Sequence, residues 1–179
     1  PGTIASKAFR KDVFGNSPYG YQTTVDSRSK IDVSAMQAFH KELIKACRAK
    51  VSVVGAVSRE QADAMVKQLL GPLQATNGND CAPLPAVAKV QDSKEAKVES
   101  IPFESAQAQV LIGQPGIARN NPDFLAVMVG NHILGGGGFG TRLMTEVREK
   151  RGLTYGVYSG FSPMQARGPF MINLQTRAE

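Results

Sequence analysis

The sequence predicts an α+β fold of helices packed on mostly antiparallel sheets, and three observations carry that reading. Apolar residues recur at helical spacing around positions 36–47, 62–70, 125–132 and 143–147. Short runs at 51–57, 98–103, 107–113, 153–161 and 170–176 are β-branched or alternate between apolar and polar, as strands do. Between these groups, 73–97 loses all periodicity and carries Pro83 and Pro85, which marks a linker. The chain is therefore divided into 1–72, a linker at 73–97, and 98–179, two partial lobes rather than one doubly wound sheet.

Composition bounds the function classes. With 179 residues, 42% hydrophobic and 20% charged, the chain is globular and long enough for one good core or two small ones. No apolar run approaches the roughly 20 residues that span a bilayer. Most of the net charge of +6 sits in the first half, where positions 1–75 carry 11 Lys and Arg against 6 Asp and Glu. It is not interleaved with aromatics, so a solvated surface is expected rather than a nucleic-acid groove. The opening PGTIASKAF has neither an initiator Met nor a signal pattern, and the ends are expected to be those of a fragment.

The elements follow in order. Residues 1–33 hold Pro18 and Gly20 and read as a short helix or extended entry followed by a loop. Ser34 and Gln37 have capping-box spacing, and Met36, Phe39, Leu43 and Cys47 share the helical face behind them. His40 flanks that stripe and is assigned to packing or surface. Val51–Val57 is expected to be a buried strand. Ser58 and Gln61 repeat the capping box before Ala62, Met65, Val66, Leu69 and Leu70, and Gly71-Pro72 is expected to end this helix. Cys47 and Cys81 show neither metal-ligand spacing nor an evident relation to each other.

In the second half, Val98–Phe103 and Gln107–Gly113 are expected strands. Pro122 opens a helix with Leu125, Met128, Val129 and His132 on one face. His132 precedes the glycine run and is read as a buried or hydrogen-bonded helix end. The four glycines Gly135, Gly136, Gly137 and Gly138 imply either an ordered loop with unusual dihedrals or close backbone approach, or a disordered linker. GGGGFGT lacks the Lys-Ser/Thr ending of a phosphate loop, which sets nucleotide binding aside. Thr141 is the expected N-cap of a helix with Leu143, Met144 and Val147 on one side and Arg148 on its exposed face. Lys150 and Arg151 suit its C-terminal dipole, and Gly152 suits the left-handed position after it. From Leu153 the period changes to two, and Leu153–Phe161 pairs as a hairpin with Phe170–Thr176 across the 162–169 loop, the chain stopping just after at Glu179.

Arg148 ends a helix and Tyr155 begins a strand. Such a corner can bring a guanidinium and a phenol to one sheet edge, where both can donate to a developing oxyanion. By themselves these residue types are more often a solvated helix face and a packed strand tyrosine than a catalytic pair.

The full stretch GGGGFGTRLMTEVREKRGLTYGVYSGF resembles the second-half signature of the pitrilysin/insulinase family of zinc peptidases, the inverzincins, especially bacterial members and relatives of the mitochondrial processing peptidase. SPYGYQTTVDSRSKID resembles the family's segment around a Pro-Tyr-Gly turn, departing at Val25-Asp26 where Gly-Thr is frequent. VSVVGAV leading into a helix resembles the close of a family domain. The resemblance implies a metallohydrolase-like α+β fold, with 1–72 the end of one peptidase-like domain and 98–179 the start of the next.

It also implies peptide substrates and zinc, with Arg148 and Tyr155 reaching across a chamber to a zinc site built by another domain. Arg148 would orient a substrate carbonyl, Tyr155 would donate to the oxyanion or substrate, and Gly135–Gly138 would let substrate or the opposing domain approach. The family's His-x-x-Glu-His motif is absent, and His40 and His132 stand alone. No metal ligand is therefore assigned here, and the chain alone is expected to be inactive. Either the motif belongs to a longer parent or the parent is the metal-free subunit of a two-chain enzyme; a non-catalytic substrate-binding or assembly subunit is the alternative. Open sheet edges allow a homo-oligomer, and the compartment stays open, with the bacterial periplasm among the options.

Overall fold

The structure is a computed structural model that describes residues 1–78, 80–93 and 95–178; the expected chain end at Glu179 lies outside them. Two compact units form, one of Pro1–Gln22 with Ala86–Glu179 and one of Thr23–Pro85.

In the first unit the alternating runs assemble into one antiparallel sheet. β1 (Gln107–Pro115) pairs along its length with β3 (Pro169–Arg177), and β2 (Val157–Phe161) lines the other side of β3, giving the order β1-β3-β2. The register sets Val110 and Val157 on either side of Leu174, so these three share a face. Helical segments cover that face. Met144 and Val157 are fully buried, and the Val157 N–H is directed at Met144 Sδ at 3.5 Å. A buried polar pair joins the end of α5 (Phe124–Asn131) to the same strand: the Ser159 hydroxyl donates to Asn131 Oδ1 at 2.8 Å, and the Asn131 amide donates to the Ser159 carbonyl at 3.3 Å. Each group is satisfied by the other, so its burial carries no unpaired-dipole penalty.

α1 (Gly2–Phe14) uses the opposite face, where its Phe9 ring lies against Gly113 of β1. Val13, Phe14 and Val90 form a second small core with Tyr19 set edge-on to Phe14 at 5.9 Å. The Tyr19 hydroxyl accepts the Ala166 N–H at 3.0 Å, and the Arg167 guanidinium donates to the Gly116 and Pro115 carbonyls while pairing with Asp92. The β2–β3 loop is thus held down from three directions. Among the described residues no helix is long and apolar enough to cross a membrane.

The second unit is helical: α2 (Val25–Ser29), α3 (Val33–Leu43) and α4 (Arg59–Asn77). The Ser58/Gln61 capping box forms as its spacing predicts. At α3 the cap is Asp32 instead of the expected Ser34. Asp32 Oδ1 accepts the Ala35 N–H and the Ser34 hydroxyl, each at 2.7 Å, because a charged carboxylate is the stronger acceptor. The Ala35 hydrogen bond, with Ser34 second, holds the Asp32 carboxyl below its ordinary range.

Three further expectations are corrected. α4 does not stop at Gly71-Pro72 but runs on to Asn77, whose amide donates to the carbonyls of His40 at 3.2 Å and Ile44 at 2.8 Å. That anchor beyond the proline outweighs the hydrogen bond the ring removes. His40 is exposed, with its Nδ1 3.2 Å from the Asn77 amide nitrogen. Neither Val51–Val57 nor Val98–Phe103 is a strand, and Val54 is 99% exposed. β-Branched composition yields a strand only where a neighbouring strand supplies the ladder, and among the described residues these runs have none.

The cysteines are not unrelated. Cys47 and Cys81 form a disulfide across 34 residues, with Cα atoms 6.2 Å apart. Polar contacts flank it: the Lys45 ammonium donates to the Asp80 carbonyl and the Arg48 guanidinium to the Ala82 carbonyl, both at 2.7 Å. The segment after α4 is therefore fastened to the turn after α3. Closing a loop of this length is worth about 3–4 kcal/mol by chain entropy. Denaturant unfolding of the Cys47→Ser/Cys81→Ser chain is expected to show a loss of that order, with reductant lowering the wild-type midpoint and leaving the variant unmoved. A wild-type midpoint indifferent to reductant would contradict the staple.

Candidate functional site

The glycine run is an ordered corner. α5 widens into a π-helical turn at His132–Gly136, and a 3₁₀ turn at Gly138–Gly140 follows. Gly135 is buried against β2. A Cβ there would stand 2.6 Å from Ser159 Oγ and 2.7 Å from Leu143 Cδ1, so no larger residue fits. Gly136 lies beside the Asn131 amide and Gly137 beside the His132 ring. Gly138 has φ +83°, which a side chain disfavours, and this turn directs Phe139 outward to 60% exposure. The disordered-linker reading is thereby replaced by packing. His132 is exposed rather than buried at its helix end.

Thr141 does not cap with its side chain as expected. It is buried, and its hydroxyl donates to the Gly138 carbonyl at 2.9 Å while its own carbonyl accepts the Thr145 N–H. The helix that follows is π-helical over Met144–Glu149, a widened form that recurs at functional sites. Gly152, at φ +62°, closes it by donating its N–H to the Arg148 carbonyl at 2.9 Å.

Charge sorting on this segment leaves Arg148 out of its ion pairs among the described residues. Glu146 engages Lys150 at 2.6 Å and Arg151 at 2.9 Å. The Lys150 ammonium, with Arg151 second, holds the Glu146 carboxyl below its ordinary range. Arg148 is half-buried rather than fully exposed, and has no hydrogen-bond or ion-pair partner among the described residues. Its guanidinium carbon instead lies 5.1 Å from the centre of the Phe139 ring and 5.5 Å from that of Tyr155, within cation–π range of both.

Tyr155 is 84% exposed. The expected strand from Leu153 begins only at Val157, so the period-two pattern that would have turned Tyr155 inward does not reach it. The preceding corner is pinned by Thr154, whose hydroxyl donates to the Gln175 carbonyl at 2.6 Å and accepts the Gly156 N–H at 3.1 Å. Tyr155 also borders a depression of about 490 Å³ floored by Gln109, Asn173 and Gln175. The structure thus brings Arg148 and Tyr155 together. It adds Phe139, which the sequence reading passes over although it is the sole aromatic side chain within GGGGFGT.

Zinc does not fit here. Among the described residues no three His, Cys, Asp or Glu side chains converge on a possible metal position, and His40 and His132 lie in different units.

Substitution at the corner tests its packing. Gly135→Ala is expected to cost roughly 1–3 kcal/mol by overpacking, whereas Gly140→Ala, where an added Cβ meets nothing within 4 Å, should stay within about 0.5 kcal/mol. Equal unfolding midpoints for the two variants would contradict the close approach to Ser159.

Comparison with known proteins gives consistent matches. The family model described as the peptidase M16 inactive domain matches residues 30–179. Over 175 residues the chain is 31% identical to an uncharacterized zinc protease of Streptomyces coelicolor, covering 96% of this chain and 38% of that protein. It is 28% identical to one of Mycobacterium tuberculosis, covering 96% and 39%. Among solved structures, the peptidase M16 inactive domain from Pseudomonas fluorescens superposes with a TM-score of 0.91 at 47% identity, over 100% of this chain and 42% of that one. A protease from Helicobacter pylori shares the fold, with a TM-score of 0.85 at 20% identity over 99% and 42%. The chain spans about two fifths of the length of these relatives.

Proposed function

The chain belongs to the peptidase M16 family, as part of what that family calls its inactive domain, and from this we propose that it is the substrate-contacting part of a zinc-dependent peptidase whose metal ligands lie outside it. Zinc belongs to the relatives by name, and no metal-binding group occurs among the described residues here. An inactive domain implies a zinc-bearing domain or subunit as its partner. We further propose that 1–72 holds the end of one peptidase-like domain and 98–179 the start of the next, with 73–97 between them, its first residues completing α4 up to Asn77.

The observation that carries the reading is a half-buried guanidinium with no polar partner among the described residues, set beside an exposed phenol. A guanidinium whose N–H groups are unspent can hold a substrate backbone carbonyl and fix the register of an extended peptide. The Tyr155 hydroxyl donates to the oxygen of the carbonyl under attack as that oxygen gains charge. Gly136 and Gly137, exposed on the rim beside Phe139, let the peptide backbone or the opposing domain come close; Gly135 and Gly138 hold that rim in place.

A non-catalytic reading has its own support in the word "inactive" and in the absence of a metal-binding group among the described residues. It keeps the same substrate contacts, or an assembly role, and gives up hydrolysis.

Kinetics of the whole peptidase separate these readings. Tyr155→Phe is expected to lower kcat about 10²–10³-fold, the usual effect of removing one oxyanion donor, and Arg148→Lys to lower it about 10²-fold by misplacing the substrate carbonyl, both with zinc content unchanged. Full turnover by Tyr155→Phe would rule out the hydroxyl role. A whole protein that neither holds zinc nor cleaves peptides, alone or with its partner, would favour the non-catalytic reading.

A further inference from the structure

We infer that Phe139 is a positioning residue for Arg148: its ring holds the guanidinium beside Tyr155 and leaves the N–H edge free for a peptide oxygen. The inference rests on the substrate-contact reading above and adds a residue to it.

The position of Phe139 is set by the backbone. Gly138 turns at φ +83°, the 3₁₀ turn spans Gly138–Gly140, and the buried Thr141 fastens that turn by donating its hydroxyl to the Gly138 carbonyl. The ring that emerges is 60% exposed. A phenylalanine kept for core packing would be covered; this one has an arginine 5.1 Å from its ring centre.

Arg148 needs such a support. It has several rotatable bonds and, among the described residues, no acceptor to fix its head group, because Glu146 is taken by Lys150 and Arg151. Tyr155 alone is a poor anchor, being 84% exposed and ahead of the strand. With Phe139 as a second ring, the guanidinium has aromatic contact from two separate segments of backbone. Aromatic contact, unlike a carboxylate, leaves the guanidinium's hydrogen-bonding edge unused. An acidic residue at this position would hold Arg148 as well, and would occupy the donors that the substrate requires.

Two measurements test this. In proton NMR of the chain, the Arg148 side-chain resonances are expected to be ring-shifted and to show contacts with the Tyr155 ring. Phe139→Leu should abolish both and Phe139→Tyr should keep them, with the buried Met144 and Val157 methyl signals unchanged in either variant as the check on folding. Arg148–Tyr155 contacts that persist in Phe139→Leu would overturn the inference. In the whole peptidase, Phe139→Leu should lower kcat roughly three- to tenfold with little change in KM, and Phe139→Tyr should restore it. Full activity of Phe139→Leu beside impaired Arg148→Lys and Tyr155→Phe would overturn the positioning role and leave the peptidase reading standing. Full activity of all three variants would overturn both.

Discussion

Gly135 meets Ser159 at a distance that no side chain could share, and the surroundings of Arg148 follow from that contact. It presses the end of α5 onto the centre of β2, where the Asn131–Ser159 hydrogen bonds lock it. The backbone must then turn within a few residues to return across the sheet. It does so through Gly138 and the 3₁₀ turn, which raises Phe139 on one side and delivers the π-helical segment with Met144 buried against Val157. Arg148 lies one turn further along that segment, and Tyr155 on the corner leading back into β2. Three side chains from separate stretches of backbone meet because one buried glycine allows helix and strand to touch.

The electrostatics of the corner work by selection among cations. Arg148, Lys150 and Arg151 stand within four positions of one another, and the Glu146 carboxylate pairs with the last two. Both of its ion pairs are solvent-exposed, where such pairs contribute little stability. Their effect is to assign the carboxylate to Lys150 and Arg151. Arg148 is left with aromatic neighbours, which hold a guanidinium by its face and do not compete for its hydrogen bonds. A cation kept in this state suits recognition of a neutral peptide oxygen better than one neutralised by its own chain.

Much of this corner was legible in the sequence because its signals are local. Four glycines, a helical run ending in Lys150-Arg151-Gly152 and an alternating hairpin fixed the order helix, turn, strand, and the family resemblance singled out Arg148 and Tyr155 within it. What escaped depends on partners distant along the chain. The Cys47–Cys81 bond joins residues 34 apart whose neighbours give no hint of each other. The continuation of α4 through Pro72 rests on Asn77 reaching the end of α3, a tertiary contact that no local stop signal can reveal. Val51–Val57 has strand composition without a strand to pair with among the described residues. Phe139 was passed over for a different reason: an aromatic in a glycine loop has no periodicity to mark it, and its importance comes from lying opposite Arg148.

On the proposed function, Arg148 and Tyr155 address the same substrate. The most direct measurement is a crystal structure of the whole parent protein with an uncleaved extended peptide bound. An Arg148 N–H and the Tyr155 hydroxyl are each expected about 2.7–3.1 Å from backbone oxygens of that peptide, with Phe139 still against the guanidinium. A bound peptide with both side chains out of hydrogen-bonding reach would contradict it.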